Sequence, residues 1–407
     1  MQHLVIIGGG FAGVWGALGA AAARAELRRA AADLRITLVT REPYLTIRPR
    51  LYEADPEGMR VPLDGLLDSL GVDLVLGDVT RIDAAARTVA VDAIRGRATM
   101  PYDRLILATG SRLRRPDVPG ANEHAFSVDT YGEAMTLDRH LTALSRRPLG
   151  HARDGRFTAV VVGAGFAGLE VATTLVSRLR SLAARAGAGE RPAVVLVERA
   201  SAVAPDLGSN PRPIVETALR ELGVAVRVGT SVSEIDGGHV TLTSGERIAA
   251  ATAVWTAGLC ASDLTLQLPA ERDGLGRTMV DECLRVRGVD GVFAAGDVAH
   301  ALADGEHVAP MSCQYAIPMG ERAGRNAVAE LSGREPSRFL QPDYVTCLDL
   351  GDWGGLFTQG WDRQVHLTGF WGKVMKQTIN TWMIYPPPFG WPAARTIAPD
   401  RIVRSAA

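Results

Sequence analysis

The chain opens on an apolar run, His3-Leu-Val-Ile-Ile7, with no polar alternation, the pattern of a parallel strand covered on both faces. It stops at Gly8-Gly-Gly-Phe-Ala-Gly13, and an alanine-rich helical stretch follows. The same order returns at Ala159-Val-Val-Val162, then Gly163-Ala-Gly-Phe-Ala-Gly168, then a helix that takes in Leu169 onward. Each unit leads through a stretch rich in arginine and alanine to a second apolar strand, Ile36–Val39 in one case and Val194–Val197 in the other. The pattern predicts two β-α-β units, a repeat at the scale of a domain.

Between the two units lies a turn-rich break at Arg114-Arg-Pro-Asp-Val-Pro-Gly120, and a second break falls near Ala257-Gly258. These predict a discontinuous first domain, residues 1–113 and 259–335, with a second domain, 114–258, inserted into it. After Gly333-Arg-Glu-Pro336 the composition turns to aromatics and prolines, which sets off a C-terminal segment, 336–407.

With 407 residues, 47% of them hydrophobic, the chain has material for a large core and for two or three domains. Its net charge of -1, from 44 basic and 45 acidic residues, excludes a polyanion-binding surface and with it nucleic acid as a partner. Cys260, Cys283, Cys313 and Cys347 are far apart, so neither a metal site nor a disulfide framework is predicted. No apolar run reaches membrane-spanning length, and the glycine-broken N-terminus lacks the basic start of a signal peptide. A cytoplasmic protein is expected. Arginine almost replaces lysine; the only lysines are Lys373 and Lys376, which the sequence alone assigns to genomic composition.

The glycine turns carry the chemistry. In GxGxxG the first glycine makes the bend, the second lets backbone amides approach a pyrophosphate, and the third lets helix and strand touch. Gly8, Gly10 and Gly13 form one set, with Phe11 and Ala12 between them; Gly163, Gly165 and Gly168 form the other. The residue ending the next strand is Glu198 in the second unit, suited to a ribose diol and repulsive to a 2′-phosphate, so NADH is expected over NADPH. In the first unit that place holds Thr40, followed by Arg41, and a threonine is a charge-free partner for a ribose.

Further strings complete a resemblance. Tyr102 to Ser111, with Ala108-Thr109-Gly110 at its end, resembles the "ATG" strand and turn of the FAD-dependent pyridine nucleotide-disulfide oxidoreductases. Ala253-Val-Trp-Thr-Ala257-Gly258 is similar to its second copy. Gly291 to Asp297 resembles the late FAD motif of that superfamily, whose aspartate meets the ribityl chain; here these are Gly296 and Asp297. Tyr44 through Arg48-Pro49-Arg-Leu-Tyr-Glu-Ala54 and the Trp-Thr-Ala-Gly string are similar to type II NADH dehydrogenases. The resemblance implies an α/β fold of the glutathione-reductase type, with two Rossmann-like domains, one for FAD and one for NAD(P), plus the C-terminal segment. It implies FAD held at the first glycine turn with Arg48 and Pro49 nearby, and hydride passing from NADH to the flavin N5. Glu170 matches a glutamate of the type II motif and is expected at the nicotinamide.

The absence of any cysteine before Cys260 removes the dithiol of the disulfide reductases, and the FxGxxxH pattern of Baeyer-Villiger monooxygenases is missing. Cys313, the only cysteine remotely placed for a sulfide:quinone reductase, is read as buried and inert. On the acceptor side, Cys313-Gln-Tyr-Ala-Ile-Pro-Met-Gly320 is similar to the AQxAxQxG helix start of type II enzymes. Gln314, Ala316 and Gly320 match, Tyr315 lies between them, Cys313 replaces an alanine, and Pro318 replaces a glutamine in what is read as the first helical turn. This implies a quinone acceptor near Gln314 and Tyr315. A reductase of a small ferredoxin-like protein and a non-enzymatic NADH-responsive redox sensor stay open. The stretch from Phe370 to Tyr385 predicts a helix with Trp371, Val374, Met375, Thr378 and Trp382 on one face and the two lysines on its flanks. Such a helix suits peripheral membrane contact, core packing or a homodimer interface. Pro386 to Pro388 end it.

Overall fold

The computed structural model describes residues 1–27, 33–93, 96–114, 116–146, 155–188 and 191–387. Arg115 of the predicted break, Pro388 and the rest of the C-terminal segment lie outside the described residues.

Both apolar runs form central parallel strands. Gln2–Ile7 pairs with Leu34–Thr40 on one side and Arg104–Leu107 on the other, so that Ile7 stands opposite both Val39 and Leu107. Leu107 in turn stands opposite Ala294 of Val292–Ala294. Four strands therefore end in register, and the turns after them, at Gly8, Thr40, Ala108 and Ala295, share one sheet edge. Asp73–Asp83 extends this sheet in parallel, and Thr88–Ala93 and Gly96–Pro101 close it as antiparallel strands.

The second sheet repeats the scheme with five parallel strands in the order Ala125–Phe126, Thr252–Trp255, Thr158–Val162, Ala193–Glu198, Ala225–Val228. Val162 is opposite both Val197 and Trp255, so Gly163, Glu198 and Thr256 also emerge together. The chain passes between the sheets at Ser111–Leu113 and Leu259–Ala261, which pair antiparallel.

Two close backbone approaches place the other elements. The helix Cys313–Leu331 lies on the first glycine-turn helix, Phe11–Leu27; a Cβ at Gly320 would come 2.1 Å from the Ala12 carbonyl oxygen, and one at Gly324 2.1 Å from that of Gly16. No residue larger than glycine allows that contact without moving a backbone. The helix start at Ser312 and Cys313 is thereby set against the first glycine turn. Near the end of the chain, Val345–Asp349, Gly355–Gln359 and Gln364–Thr368 make an antiparallel sheet, and the helix Gly369–Thr378 is laid on it. A Cβ at Gly372 would lie 2.3 Å from the Gly355 carbonyl oxygen.

That last contact overturns the expected helical face. Gly372 and Lys376 are four residues apart on one face, and if Gly372 touches the sheet, Lys376 points inward. Lys376 is 7% exposed rather than flanking a surface stripe. Lys373 also turns back, to the Asp349 carboxylate. The helix is shorter than predicted as well: it ends at Thr378 and continues as a π-helical turn, Ile379–Met383.

Candidate functional site

The first glycine turn is built as a cradle. Gly8 has φ +116°, donates its N–H to the Val39 carbonyl (2.8 Å), and would place a Cβ 2.3 Å from the Ala108 carbonyl oxygen. A Cβ at Gly13 would lie 1.7 Å from the Gly8 carbonyl oxygen. At Gly10, by contrast, an added Cβ meets no protein atom within 4 Å. The middle glycine thus faces the space a pyrophosphate needs, whereas its neighbours are fixed by packing. Thr40 packs on the turn from the next strand, its Oγ1 2.4 Å from where a Gly9 Cβ would be. Arg41 sits at the rim in an exposed ion pair with Asp78.

Behind the turn, Asp297 accepts a hydrogen bond from the Ser111 hydroxyl (2.6 Å), and Arg48 donates to that same hydroxyl (2.8 Å). Arg48 also pairs with Asp129, which follows the strand Ala125–Phe126 of the second sheet. Burial pushes the Asp297 carboxyl above the usual range, against the pull of the Ser111 hydrogen bond and the Arg48 charge. Among the described residues, the buried Thr109 and Ser312 hydroxyls have no hydrogen-bond partner. Orphaned polar atoms beside an open glycine turn fit the hydroxyl- and amide-rich body of FAD.

The second turn repeats the geometry. Gly163 has φ +103°, a Cβ at Gly168 would lie 1.8 Å from the Gly163 carbonyl oxygen, and Gly165 meets nothing within 4 Å. Glu198 ends its strand with its carboxylate fixed: one oxygen accepts the Ala164 N–H (2.7 Å) and the other the Ala200 N–H (2.8 Å). A carboxylate held there has lone pairs left for a ribose diol and repels a 2′-phosphate. Glu198→Ala is therefore expected to reduce the preference for NADH over NADPH by about tenfold, the worth of one charged hydrogen bond, in anaerobic stopped-flow reduction of the flavin. An unchanged ratio counts against this role.

Both turns open into one continuous cleft of ≈ 2850 Å³, several times the size of an ordinary single-ligand pocket. Gly8, Gly10, Phe11, Ala12, Thr40, Arg41, Arg48, Pro49, Ala108 to Gly110, Gly163, Gly165, Glu170, Glu198, Ala257, Gly258, Gly296, Asp297, Gln314 and Ala316 all line it. Three expected residues do not. Gly13 and Gly168 stand behind their turns as packing glycines, and Tyr315 is 1% exposed, with its ring against Tyr344 and Trp361. Helix phase is the cause: Cys313, Gln314 and Ala316 face the cleft, and Tyr315 turns to the core. Gln314 lines the cleft with its amide donating to the Asp343 carbonyl (3.0 Å). Pro318 is not in the first helical turn. Ser312 is the N-cap, so Pro318 is the sixth residue and removes the N–H that would meet the Gln314 carbonyl.

In the lining of the same cleft, Glu170 and Lys376 form a buried ion pair with N–O distance 2.8 Å. Glu170 also accepts the Asp349 N–H (3.0 Å), and Lys376 donates to the Cys347 carbonyl (3.3 Å). Burial pushes the Glu170 carboxyl up, against the attraction of Lys376. The nearby thiols are pushed up by burial too, Cys313 to about 11 and Cys347 to about 12, so both are protonated at neutral pH and poor nucleophiles. Sequence reasoning missed Lys376, although a signal was there. In a chain with 44 basic residues and arginine nearly everywhere, a lysine marks a place that takes a compact cation on a flexible stem.

Two dinucleotide turns facing one cleft, with a buried acid-base pair in its lining, define a two-dinucleotide flavin oxidoreductase. The family model for pyridine nucleotide-disulphide oxidoreductases matches residues 2–320, and the chain belongs to that family. It is 48% identical over 387 residues to an NADH dehydrogenase-like protein of Mycobacterium tuberculosis, covering 95% of each chain. A type II NADH:quinone oxidoreductase of Staphylococcus saprophyticus is 25% identical, with 94% of this chain and 95% of that one covered. The NDH2 structure of Plasmodium falciparum shares the fold, with TM-score 0.77, 12% identity and 95% of each chain covered. The protein is an NADH dehydrogenase-like oxidoreductase that uses FAD and NADH.

Proposed function

We propose that the protein passes electrons from NADH to a lipophilic quinone at a membrane surface. The observation that carries this reading is at the cleft mouth: Trp382 both lines the cleft and is 76% exposed. Ile379, Met383, Ile384 and Pro386 line the cleft as well, and Phe370 and Trp371, at the start of the helix that leads into this turn, are 71% and 65% exposed. A cleft lined in part by the apolar side chains of this turn, one of them an exposed tryptophan, suits an acceptor arriving from lipid, where tryptophan rings sit at headgroup depth. Among the described residues no helix is long and apolar enough to cross a membrane, so contact would be peripheral.

Residues 1–113 and 259–335 would hold FAD, and 114–258 the nicotinamide dinucleotide. Bound FAD supplies the two-electron chemistry that links hydride donor to acceptor. Gly10 lets the backbone amides of the turn reach its pyrophosphate, Thr109 and Asp297 meet its polar body, and Gly165 and Glu198 hold NADH. Reducing a quinone to its quinol consumes two protons. Lys376 lines the cleft as an ammonium and gives one of them, with the Glu170 carboxylate holding it in place; the second proton and the one that recharges Lys376 come from solvent. Gln314 and Ala316 shape the acceptor end.

Because both lysines turn inward, lipid contact rests on the aromatics rather than on charge. The double variant Phe370→Ser, Trp371→Ser is expected to sediment with liposomes at least tenfold less and to lose quinone-linked turnover with quinone in those liposomes, since each exposed aromatic brings about 1.5–3 kcal/mol of apolar burial. Its NADH-to-ferricyanide turnover should stay level, because ferricyanide needs no lipid. If the intact protein neither sediments with liposomes nor reduces any quinone faster than oxygen, the quinone reading fails.

A further inference from the structure

The nicotinamide-binding turn has a neighbour that its own sheet does not supply. Arg363 belongs to the turn between Gly355–Gln359 and Gln364–Thr368, yet its guanidinium lies 5.5 Å from the ring of Phe166, the first residue of the helix that follows Gly165. It stacks as well on Tyr344, at 5.0 Å, and donates to the Thr346 hydroxyl at 3.3 Å. Arg363, Phe166, Tyr344 and Gly165 all line the cleft. Among the described residues Arg363 has no carboxylate partner; Asp362 next to it is engaged by Gln364. The guanidinium is thus held by stacking on two rings while its remaining N–H groups are left for a ligand.

Its backbone is held as deliberately. Arg363 has φ +55°, a left-handed conformation that a long side chain rarely adopts. The turn is fastened to the second sheet's domain by Asn210, whose amide donates to the Asp362 carbonyl at 2.8 Å, and closed by the Arg363 N–H to the Gly360 carbonyl at 3.0 Å. A strained backbone that holds a cation in the cleft lining, against the first residue of the helix after a dinucleotide turn, is a sign of binding rather than of packing. The ligand chemistry follows from position. A helix N-terminus after GxGxxG receives a pyrophosphate, and a planar guanidinium is its bidentate complement.

We infer that Arg363 is an anchor for the pyrophosphate of NADH, so that the coenzyme is held between the second glycine turn and the C-terminal hairpin. The C-terminal sheet and the helix laid on it then do two things, presenting Lys376 to the acceptor from the helix and gripping the donor through Arg363 of the hairpin. This rests on NADH as donor and not on which acceptor is used, and ferricyanide as acceptor keeps the two questions apart. Turnover is measured on the FAD-loaded full chain with NADH and with 1-benzyl-1,4-dihydronicotinamide, an uncharged hydride donor with no phosphate. Arg363→Ala is expected to lower kcat/KM for NADH about 10- to 100-fold, chiefly through KM, and to leave the benzyl donor within about twofold. Arg363→Lys should recover part of the loss, because it restores charge without the planar fork. The inference is overturned if KM for NADH is unchanged in Arg363→Ala, or if both donors slow equally, which would mean that the residue only supports the hairpin.

Discussion

Replacing Gly10 by valine is expected to give folded but colourless protein, while the same change at Gly13 gives protein that does not fold. The two positions are three residues apart in one turn and differ in what a side chain would meet. At Gly10 an added Cβ would meet none of the described residues within 4 Å beyond the chain next to it, so valine reaches into the pyrophosphate's place. Losing two amide-to-phosphate hydrogen bonds at about 1.5–3 kcal/mol each weakens FAD binding by roughly 10² to 10⁴. At Gly13 the Cβ would stand 1.7 Å from the Gly8 carbonyl oxygen, which forces helix and strand apart beneath the core. Flavin absorbance of the purified variants and their circular dichroism read the two outcomes separately. Yellow Gly10→Val protein would remove this turn from the FAD site.

Lys376→Met should have the second large effect, on acceptor reduction and on stability together. Without the ammonium, quinone-linked turnover is expected to fall about 100-fold, the usual worth of a placed proton donor, while flavin reduction by NADH in stopped flow changes little. The stability effect has a defined sign. Burial already raises the Glu170 carboxyl, and removing Lys376 takes away its main opposing influence. A carboxyl whose folded pKa lies above its unfolded value of about 4.3 binds its proton more tightly when folded, so its contribution is present at acid pH and is lost as pH rises through the folded pKa. Lys376→Met should therefore melt at a higher temperature at pH 5 than at pH 8. At pH 8 it should lie about 3 kcal/mol below the parent, the cost of an unpaired buried charge. Adding Glu170→Gln should recover most of that loss, since two neutral groups leave no buried charge. A melting temperature of Lys376→Met that does not depend on pH would show that the pair is not buried as described.

The cysteines fit the same electrostatic frame. Cys313 and Cys347 sit near Lys376, yet burial outweighs its charge and keeps both thiols protonated. Cys313 is only partly buried and lines the cleft, so the expectation of a buried thiol does not hold, although its raised pKa leaves it a poor nucleophile. For Cys347 the sequence offered no comparable hint, because its burial comes from the hairpin and the helix packed over it.

How much the sequence determined follows from how local each feature is. A glycine turn takes its shape from six consecutive residues, and the strand before it and helix after it are legible from apolar runs, so both cradles and Glu198 at its strand end could be found without coordinates. The matching strand ends, Ile7 with Val39 and Leu107, follow once those strands are parallel. The direction of a side chain on the C-terminal helix has no such local code. Periodicity placed Trp371 and Trp382 on one face and Lys376 at its flank, and a helix with polar and apolar residues on several sides satisfies that pattern in more than one orientation. Tertiary packing decided among them, since Gly372 can approach Gly355 only with Lys376 turned inward, where Glu170 offsets the cost of burying it. Tyr315 and Pro318 followed the same rule: their roles depended on where the helix began, and the cap at Ser312 fixed that beginning. Arg363 was least legible of all, because its meaning depends on a ring far away in the chain, and only the folded protein brings the hairpin to Phe166.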